Sequence, residues 1–459
     1  MTLDIAHWQE RLALLAEKHG VPGANLAIKQ GDEVAATAYG VLNVRTGVAA
    51  TTDSLFQIGS ITKVWTATLV MQLVDEGLVD LDAPVVTYLP DFQVADPDVT
   101  RQVTTRHLLA HTSGIDGDFF LDTGRGDDSV EKYVAACATL GQNHPLGATM
   151  SYCNSGYTVL GRLVEVLRGK SWDAVLRERL FAPLGLTTAG TLPEEALLHS
   201  AAVGHVTPPG GEPQVAPAWG IFRSAGPAGL IHATPRDVIT FAELHLNDGV
   251  AADGTRVLSA ESAQAMREEQ VRVPDEYTLG SHWGLGWILM TWDGHPVYGH
   301  DGGTIGQSAF LRIVPDANIA ICLLTNGGHT QDLFRDLFGE ILAELAGIQV
   351  PSRLEPAADA PAFDPAKYVG TYRREGVVMT IAEKDGGLVL TAKATGELAE
   401  MLDRDEEPEL QVLPVAEDLF VAKQPDDTSW TPVVFFTLDD GSPYVHFGAR
   451  ATPKVSDPA

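Results

Sequence analysis

The chain has 459 residues, which exceeds what one hydrophobic core usually organises, so two domains are expected. Hydrophobic residues make up 45% of the sequence and charged residues 20%, values typical of a folded globular protein, which excludes disorder over most of the chain. The formal net charge of -30 would repel phosphate groups, which argues against nucleic acid or an anionic membrane as a partner. We interpret the charge mainly as a surface that maintains solubility.

The amino-terminal segment predicts an amphipathic helix that contains acidic residues. It lacks the basic region and the long apolar run of a signal peptide. No stretch of the sequence approaches the ~20 apolar residues that a membrane-spanning helix needs. A cytoplasmic protein is therefore expected.

Strand and helix patterns along the first 350 residues predict an α+β domain. Two β-prone runs around a turn at residues 30–33 predict a hairpin, and helical periodicity follows over 61–77 and at three later places. β-prone runs return at 309–314 and 319–324, before a predicted helix. Strands at both ends of a helical middle predict one antiparallel sheet flanked by helices, with an all-helical insertion.

The sequence changes character after residue 350. Residues 351–365 are rich in Pro, Ala and acidic residues and predict a linker between a first domain, 1–350, and a second, 366–459. In the second domain, short β-prone runs are separated by Gly, Asp and Pro. Several short strands within about 100 residues predict a small β-barrel or sandwich.

The first candidate for chemistry is Ser60-Ile61-Thr62-Lys63, at the start of the helix predicted over 61–77. Residues three apart lie on one face of a helix, so the Ser60 hydroxyl and the Lys63 amine can meet. A serine hydroxyl is a weak nucleophile until a base takes its proton, and a lysine can be that base where burial lowers its pKa. The same spacing is also compatible with a helix N-cap followed by a solvated lysine.

Two later segments add groups suited to proton transfer and substrate binding. Tyr152 and Asn154 lie in a predicted turn before a helix expected to begin at residue 156. A tyrosine near an ammonium can relay protons, and an asparagine amide can bind a substrate carbonyl. His300 precedes Gly302 and Gly303, whose lack of side chains allows the backbone to approach a ligand closely. Each segment alone is also compatible with a purely structural role.

Together, the order and separation of the three segments resemble the serine β-lactamase and penicillin-binding-protein superfamily. The resemblance is strongest to its class C-like branch of D-aminopeptidases, DD-peptidases, esterases and penicillin-binding-protein-type thioesterases. The family signature is Ser-x-x-Lys, then Tyr-x-Asn, then Lys-Thr-Gly or His-x-Gly. Segments 107–114 and 224–237 also resemble text common in this branch, and the resemblance covers about residues 5–347.

The resemblance implies a role for each matching residue. Ser60 becomes the acyl-forming nucleophile, Lys63 its partner in proton transfer, and Tyr152 the general base that later acts as an acid. Asn154 would steady Lys63 and the substrate amide, and the backbone N–H groups of Ser60 and Gly303 would form the oxyanion hole. No metal and no organic cofactor are implied.

His300 departs from the pattern of the β-lactamases proper, which carry lysine at this position. A group that is largely neutral at pH 7 replaces a permanent cation, which argues against efficient β-lactam hydrolysis. It favours peptidase, amidase, esterase or thioesterase chemistry on a small peptide-like or ester substrate, with D residues among the candidates. An inactive sensor is the contrasting hypothesis, and the presence of Ser60, Lys63 and Tyr152 argues against it.

Acylation residues cannot separate a hydrolase from a transferase. In a transferase an amine resolves the acyl-enzyme, as in penicillin-binding-protein-type thioesterases that cyclise nonribosomal peptides released from a carrier protein. The second domain resembles the lipocalin-like barrels attached to such thioesterases and to some D-aminopeptidases. A loop from such a barrel can lie over the active site. From this loop Arg450 would recognise a substrate carboxylate, although a surface salt bridge is the alternative.

Overall fold

The computed structural model describes residues 3–208, 210–359, 361–395, 408–424 and 427–456. The predicted outer limits of the two domains, residues 1 and 459, lie outside these ranges. Within them, the α-helices are α1 (Ile5–Lys18), α2 (Thr62–Asp75), α3 (Pro97–Gln102), α4 (Thr105–Leu109), α5 (Ser129–Ala136), α6 (Asn154–Arg168), α7 (Trp172–Leu176), α8 (Pro193–Ala196), α9 (Gly226–Gly229), α10 (Pro235–Leu246), α11 (Ala260–Ala265) and α12 (Thr330–Ala346).

The strands before α12 belong to one large sheet and two short strand pairs. They are β1 (Gly23–Gln30), β2 (Glu33–Asn43), β3 (Val48–Ala49), β4 (Phe56–Gln57), β5 (His205–Val206), β6 (Gln214–Val215), β7 (His232–Ala233), β8 (Val271–Arg272), β9 (His282–Trp283), β10 (Ile288–Trp292), β11 (His295–Thr304), β12 (Gln307–Val314) and β13 (Ile319–Thr325). Among the described residues, the large sheet has the order β3-β2-β1-β13-β12-β11-β10-β9-β8, and its strands pair antiparallel. The predicted sheet, built from both ends of the first domain, is confirmed.

Side-chain alternation along β1 shows how the sheet separates two cores. Leu26 and Ile28 pack into a core that includes α1 and α12, whereas Ala27 faces the helices inserted between β3 and β8. Ala27 lies opposite Cys322 of β13, so the central pair of strands contributes to both cores. The α+β arrangement with helices on both faces of the sheet follows from this burial on both sides.

Helix α2 runs through the core that Ala27 faces. Every residue from Thr62 to Leu73 is buried, and most of these side chains are apolar. A helix that is buried around its whole circumference must be surrounded by other elements. Lys63, in the first turn of this helix, is therefore held out of water together with its neighbours.

The second domain is a closed barrel of antiparallel strands, which confirms the predicted small β-barrel. The described strands are β14 (Gly370–Arg374), β15 (Val377–Lys384), β16 (Gly387–Ala394), β17 (Leu410–Ala416), β18 (Leu419–Ala422), β19 (Thr431–Thr437), β20 (Pro443–Phe447) and β21 (Arg450–Val455). Apolar side chains fill its interior, and β14 pairs with β21 to close it. Between α12 and the 3₁₀ turn Pro365–Lys367, the described residues form neither helix nor strand.

The limits of the two domains, 1–350 and 366–459, and of the linker between them, 351–365, stay a prediction. None of the helices in the described ranges is both long and apolar enough to span a bilayer.

Candidate active site

Ser60 and Lys63 meet at the start of α2, as their spacing predicts. Ser60 belongs to a 3₁₀ turn, Gly59–Ile61, that leads directly into the helix. The Lys63 Nζ atom lies 3.0 Å from Ser60 Oγ and donates a second hydrogen bond, of 2.7 Å, to the carbonyl oxygen of Ala228. Lys63 is fully buried, so the alternative of a solvated lysine is wrong.

Burial also determines the protonation of Lys63. Loss of water lowers its pKa well below the ordinary value, and the positive charge of Arg450 lowers the pKa further. A lysine in this environment holds a neutral amine at a pH where an exposed lysine is an ammonium. The amine therefore has a lone pair beside the Ser60 hydroxyl.

Tyr152 lies beside this pair, in the loop before α6. Its ring centroid is 4.8 Å from Lys63 Nζ. Burial raises the pKa of Tyr152 well above the ordinary value, although the nearby Ser60 side chain lowers it in part. Burial therefore favours the phenol of Tyr152 and the amine of Lys63, rather than a resting phenolate and ammonium.

The loop that carries Tyr152 is fixed from two sides. Its backbone N–H donates a 2.9 Å hydrogen bond to the carbonyl oxygen of Ala449, in the barrel. On the other side, the His111 ring packs 4.4 Å from the Tyr152 ring and its Nδ1 accepts a 3.0 Å hydrogen bond from the Cys153 N–H. Sequence reasoning noted His111 only as part of a segment that resembles the family, and the structure shows it as a positioning residue.

Asn154 lies in a different setting from the one predicted. Helix α6 begins at Asn154, two residues before the predicted start, because the Cys153 Sγ caps the helix by accepting the Gly156 N–H. Within the described residues, the Asn154 side chain makes no hydrogen bond to Lys63, whose partners are Ser60 and Ala228. The role of Asn154 toward Lys63 and a substrate amide stays a prediction.

His300 lies on β11, which forms a hairpin with β12. Its Nδ1 is 2.6 Å from the carbonyl oxygen of Asp301, which places the proton of the neutral ring on Nδ1 and leaves a lone pair on Nε2. Burial lowers the pKa of His300 to about 3, and Lys63 contributes to the decrease. His300 is therefore neutral at pH 7, as expected from its residue type.

The backbone of Gly302 and Gly303 packs against the turn that carries Ser60. A Cβ atom on Gly302 would lie 1.9 Å from the carbonyl oxygen of Ile58 and 3.1 Å from the Ser60 nitrogen. On the facing turn, Gly59 has φ +50, and a Cβ atom there would lie 2.6 Å from the Gly303 nitrogen. The structure thus brings together the two backbone N–H groups predicted to form the oxyanion hole.

This close approach generates a prediction for two adjacent glycines. Gly302→Ala should abolish covalent labelling of Ser60 by a fluorophosphonate, because its methyl group overlaps the Ile58 carbonyl group and displaces the turn. In Gly303→Ala, the fluorophosphonate should label Ser60 nearly as fast as in the wild type, because no atom lies within 4 Å of the Cβ position of residue 303. Intact-protein mass spectrometry measures both rates. Equal labelling of the two variants would contradict the proposed packing.

Arg450 takes part in a charge cluster between the barrel and the first domain. Its Nη2 and Nε atoms lie 2.7 and 3.2 Å from the two carboxylate oxygens of Asp118, which also accepts a 2.7 Å hydrogen bond from Arg374. The guanidinium group lies 5.0 Å from the Tyr152 ring centroid. Arg450 is thus in a partly buried salt bridge beside Tyr152. Its predicted role toward a substrate carboxylate stays a prediction.

Sequence reasoning missed Asp118, whose only signal was a pair of acidic residues two positions apart, Asp116 and Asp118. The two carboxyl groups have opposite electrostatic environments. Burial alone would raise the pKa of Asp118, but Arg450 and Arg374 outweigh it and lower that pKa. Burial and the neighbouring Asp118 raise the pKa of Asp116 from 3.8 to about 6. Asp116 is therefore an acid whose ionisation opposes folding.

Ionisation of Asp116 destabilises the folded protein, so replacement of Asp116 should change the free energy of unfolding in a way that depends on pH. A folded-state pKa above the unfolded value destabilises the fold once the pH exceeds the unfolded pKa, and the penalty is complete above about pH 6. Asp116→Asn should therefore raise the free energy of unfolding by roughly 2–3 kcal/mol at pH 7 and hardly at pH 4. Urea denaturation at both pH values measures this.

Asp118→Asn is the matched control, and it should destabilise the protein at pH 7. The isosteric amide removes the negative charge that both arginines require. A gain in stability for both variants at pH 7 would contradict the assignment of the two environments.

The fold and this site together define a β-lactamase-like domain: a serine and a buried lysine at the start of a core helix, facing two glycines on a sheet strand. The sequence matches the family described as Beta-lactamase over residues 8–345. This protein therefore belongs to the β-lactamase family.

Individual relatives agree with this assignment. Penicillin-binding protein 4 of Amycolatopsis lactamdurans is 53% identical over 378 residues, covering 82% of this chain and 99% of the relative. The crystal structure of SurE is 29% identical with a TM-score of 0.78, and covers 98% of this chain and 100% of SurE. A structure of SurE with D-Leu is 27% identical with a TM-score of 0.75, and covers 98% of both chains.

A third similar protein matches a smaller share of the chain. The crystal structure of D-amino acid amidase from Ochrobactrum anthropi SV3, complexed with L-phenylalanine amide, is 25% identical with a TM-score of 0.61. The match covers 73% of this chain and 99% of the amidase. The likeness to SurE therefore extends over the barrel as well, whereas the amidase matches a smaller share of the chain.

Proposed function

We propose that this protein is a serine hydrolase that cleaves amide or ester bonds of peptide-like substrates, including those with D residues, through an acyl-enzyme at Ser60. The observation that carries the proposal is the 3.0 Å contact between Ser60 Oγ and the buried amine of Lys63. Burial lowers the pKa of Lys63, so a base stands beside the hydroxyl without a separate histidine.

In the acylation step, Ser60 Oγ attacks the substrate carbonyl carbon while its proton passes to the Lys63–Tyr152 pair. The backbone N–H groups of Ser60 and Gly303 stabilise the negative charge on the carbonyl oxygen. Collapse of this intermediate breaks the bond to the leaving group, which takes a proton from the Tyr152 hydroxyl. Lys63 and Tyr152 titrate as a coupled pair, so the proton belongs to the pair rather than to either residue.

His300 orients the substrate in this proposal rather than moving protons. The lone pair on its buried Nε2 has no partner within the described residues and can accept a hydrogen bond from a substrate amide. Gly302 allows the substrate backbone to lie along the edge of β11, and Asn154 can bind the substrate carbonyl at the other side. These assignments follow the family signature and the positions of the residues around Ser60.

The barrel supports a substrate that has both a carboxylate and an apolar side chain. A cavity of about 210 Å³ at the mouth of the barrel is lined by Asp118, Arg374, Val377, Met379, Ala392, Phe447, Gly448 and Arg450. Arg450 joins this cavity to Tyr152, so a carboxylate at Arg450 would place an apolar group against Phe447 and Met379. The SurE structure with D-Leu and the D-amino acid amidase support a D-configured residue among the substrates.

Single-turnover acylation tests this mechanism. A fluorophosphonate or an activated D-acyl ester should add mass to the wild type and not to Ser60→Ala. Tyr152→Phe and Lys63→Ala should each slow acylation by at least ~10²-fold, and the double variant should be hardly slower, because the two residues act in one step. His300→Ala should affect acylation less. Wild-type rates in Tyr152→Phe together with an inactive His300→Ala would assign the base to His300.

A transferase is the second candidate function, and the barrel residues that pack against Tyr152 favour it. Ala449 and Arg450 of the barrel contact Tyr152, and a cover at this position would restrict the access of water to an acyl-enzyme. In the transferase proposal, an acyl chain arrives on a carrier protein, and the amine of the same peptide resolves the acyl-enzyme. The product is then a cyclic peptide, as in penicillin-binding-protein-type thioesterases.

Product analysis separates the two functions. The substrates are linear peptide thioesters that have a free amine and end in either a D- or an L-residue at the scissile carbonyl group. For a hydrolase, mass spectrometry should find the linear acid, 18 Da heavier than the cyclic product. A mainly cyclic product would replace the hydrolase proposal with the transferase. Ser60→Ala is the control for spontaneous hydrolysis, and faster turnover of the L-ester would contradict the proposed preference for D residues.

A further inference from the structure

A cavity of about 440 Å³ lies between the first domain and the barrel, apart from the proposed catalytic side chains. Its walls come from the segment before β9, from the strands β10 to β12, from the start of α12 and the segment that follows it, and from residues 427–432 at the start of β19. Ser60, Lys63, Tyr152 and His300 are not among its lining residues. Asp301 does line it, because consecutive residues of a strand point to opposite faces of the sheet.

Aromatic side chains form part of the cavity wall. Trp292 and Phe334 come from the first domain, and Trp430 comes from the barrel. The Arg312 guanidinium group lies 4.8 Å from the Phe334 ring centroid and 5.8 Å from that of Trp292. Flat apolar walls of this kind suit an aromatic ring.

Two of the three arginines that line the cavity have carboxylate partners. Arg312 donates hydrogen bonds of 2.5 and 3.0 Å to the two carboxylate oxygens of Asp301. Arg353 lies 2.5 Å from Asp332 and 3.3 Å from Asp336. Their positive charges are therefore already balanced within the protein.

Arg335 is the third arginine, and it differs from the other two. Its side chain is half-buried, and within the described residues it makes no hydrogen bond and no ion pair. Burial lowers its pKa, and the positive charges of Arg353 and Arg312 lower it further, whereas the nearby carboxylates of Asp301 and Asp332 offset this only in part. A desolvated guanidinium group without a hydrogen-bonded partner, on the wall of a cavity, would be stabilised by an anion.

The remaining acidic side chains limit the charge of that anion. Glu276 and Asp427 line the cavity at exposed positions, where water screens them. Their negative charges disfavour a dianion such as a phosphate monoester more than a single carboxylate. The walls and the charges together therefore fit a small aromatic acid.

We propose that this cavity is a second ligand site, which binds an aryl monocarboxylate through Arg335 and packs the aromatic ring against Trp292 and Trp430. Arg335 would form a bidentate pair with the carboxylate, the geometry that a guanidinium group favours. The site is separate from the acylation chemistry at Ser60.

Calorimetric titration of the full-length chain tests the proposal, with phenylacetate as the probe and phenylacetamide as its neutral isostere. Phenylacetate should bind, and phenylacetamide should bind at least ~10-fold more weakly, because it lacks the charge that Arg335 recognises. Arg335→Gln should weaken the binding of phenylacetate by at least ~10-fold. Arg101→Gln, at an exposed arginine on α3, should leave the affinity unchanged.

A second variant and a blocked active site complete the test. Trp430→Leu should weaken the binding of phenylacetate and of phenylacetamide to the same extent, since it removes an aromatic wall and no charge. Protein phosphonylated at Ser60 by a fluorophosphonate should bind phenylacetate as tightly as free protein. The proposal is wrong if phenylacetate does not bind at millimolar concentration, if the amide binds equally well, if Arg335→Gln has no effect, or if phosphonylation of Ser60 abolishes binding.

Discussion

The burial of Lys63 is the constraint on which the candidate site depends. A lysine at the centre of a core would be costly as a cation, because its nearest partners are the Ser60 hydroxyl and the Ala228 carbonyl group rather than a carboxylate. It can stay there by losing its proton, and this loss would provide the base that the proposed mechanism requires beside Ser60. Other elements surround α2 on every side and so keep Lys63 buried, which means that the packing of the core and the basicity of the site share one cause.

The barrel contributes to the same electrostatics. Arg450 lies close enough to lower the pKa of Lys63, and Asp118 holds Arg450 and Arg374 in place. Because Asp118 belongs to the first domain and both arginines to the second, these ion pairs fix how the domains meet. The backbone hydrogen bond from Tyr152 to Ala449 fixes the loop before α6 at the same boundary. The second domain therefore forms part of the site rather than a separate attachment.

Local patterns predicted much of this structure, and long-range contacts were harder to foresee. The β1–β2 hairpin, α2 and the Ser60–Lys63 contact depend on residues close in sequence, so spacing alone predicted them. Pro414 in β17 and Pro453 in β21 weaken the strand pattern, so the local sequence indicates these two strands less clearly than β15 and β16. Asp118 and the Ala228 carbonyl group approach the site only through tertiary packing. The roles of Tyr152 and Gly303 came from the family resemblance.

The position of β1 in the large sheet also affects how the protein can fold. β1 lies between β2 and β13, and its partner residues Ala24 and Thr325 are about 300 positions apart. A ribosome must therefore make most of the first domain before β1 can pair on its second side, and the unpaired edge stays exposed meanwhile. Gly303, which contacts the turn of Ser60, also emerges late. Nascent chains of this protein should thus pass through a long interval in which the edge of β1 can pair with other chains, a period when chaperone binding would matter most.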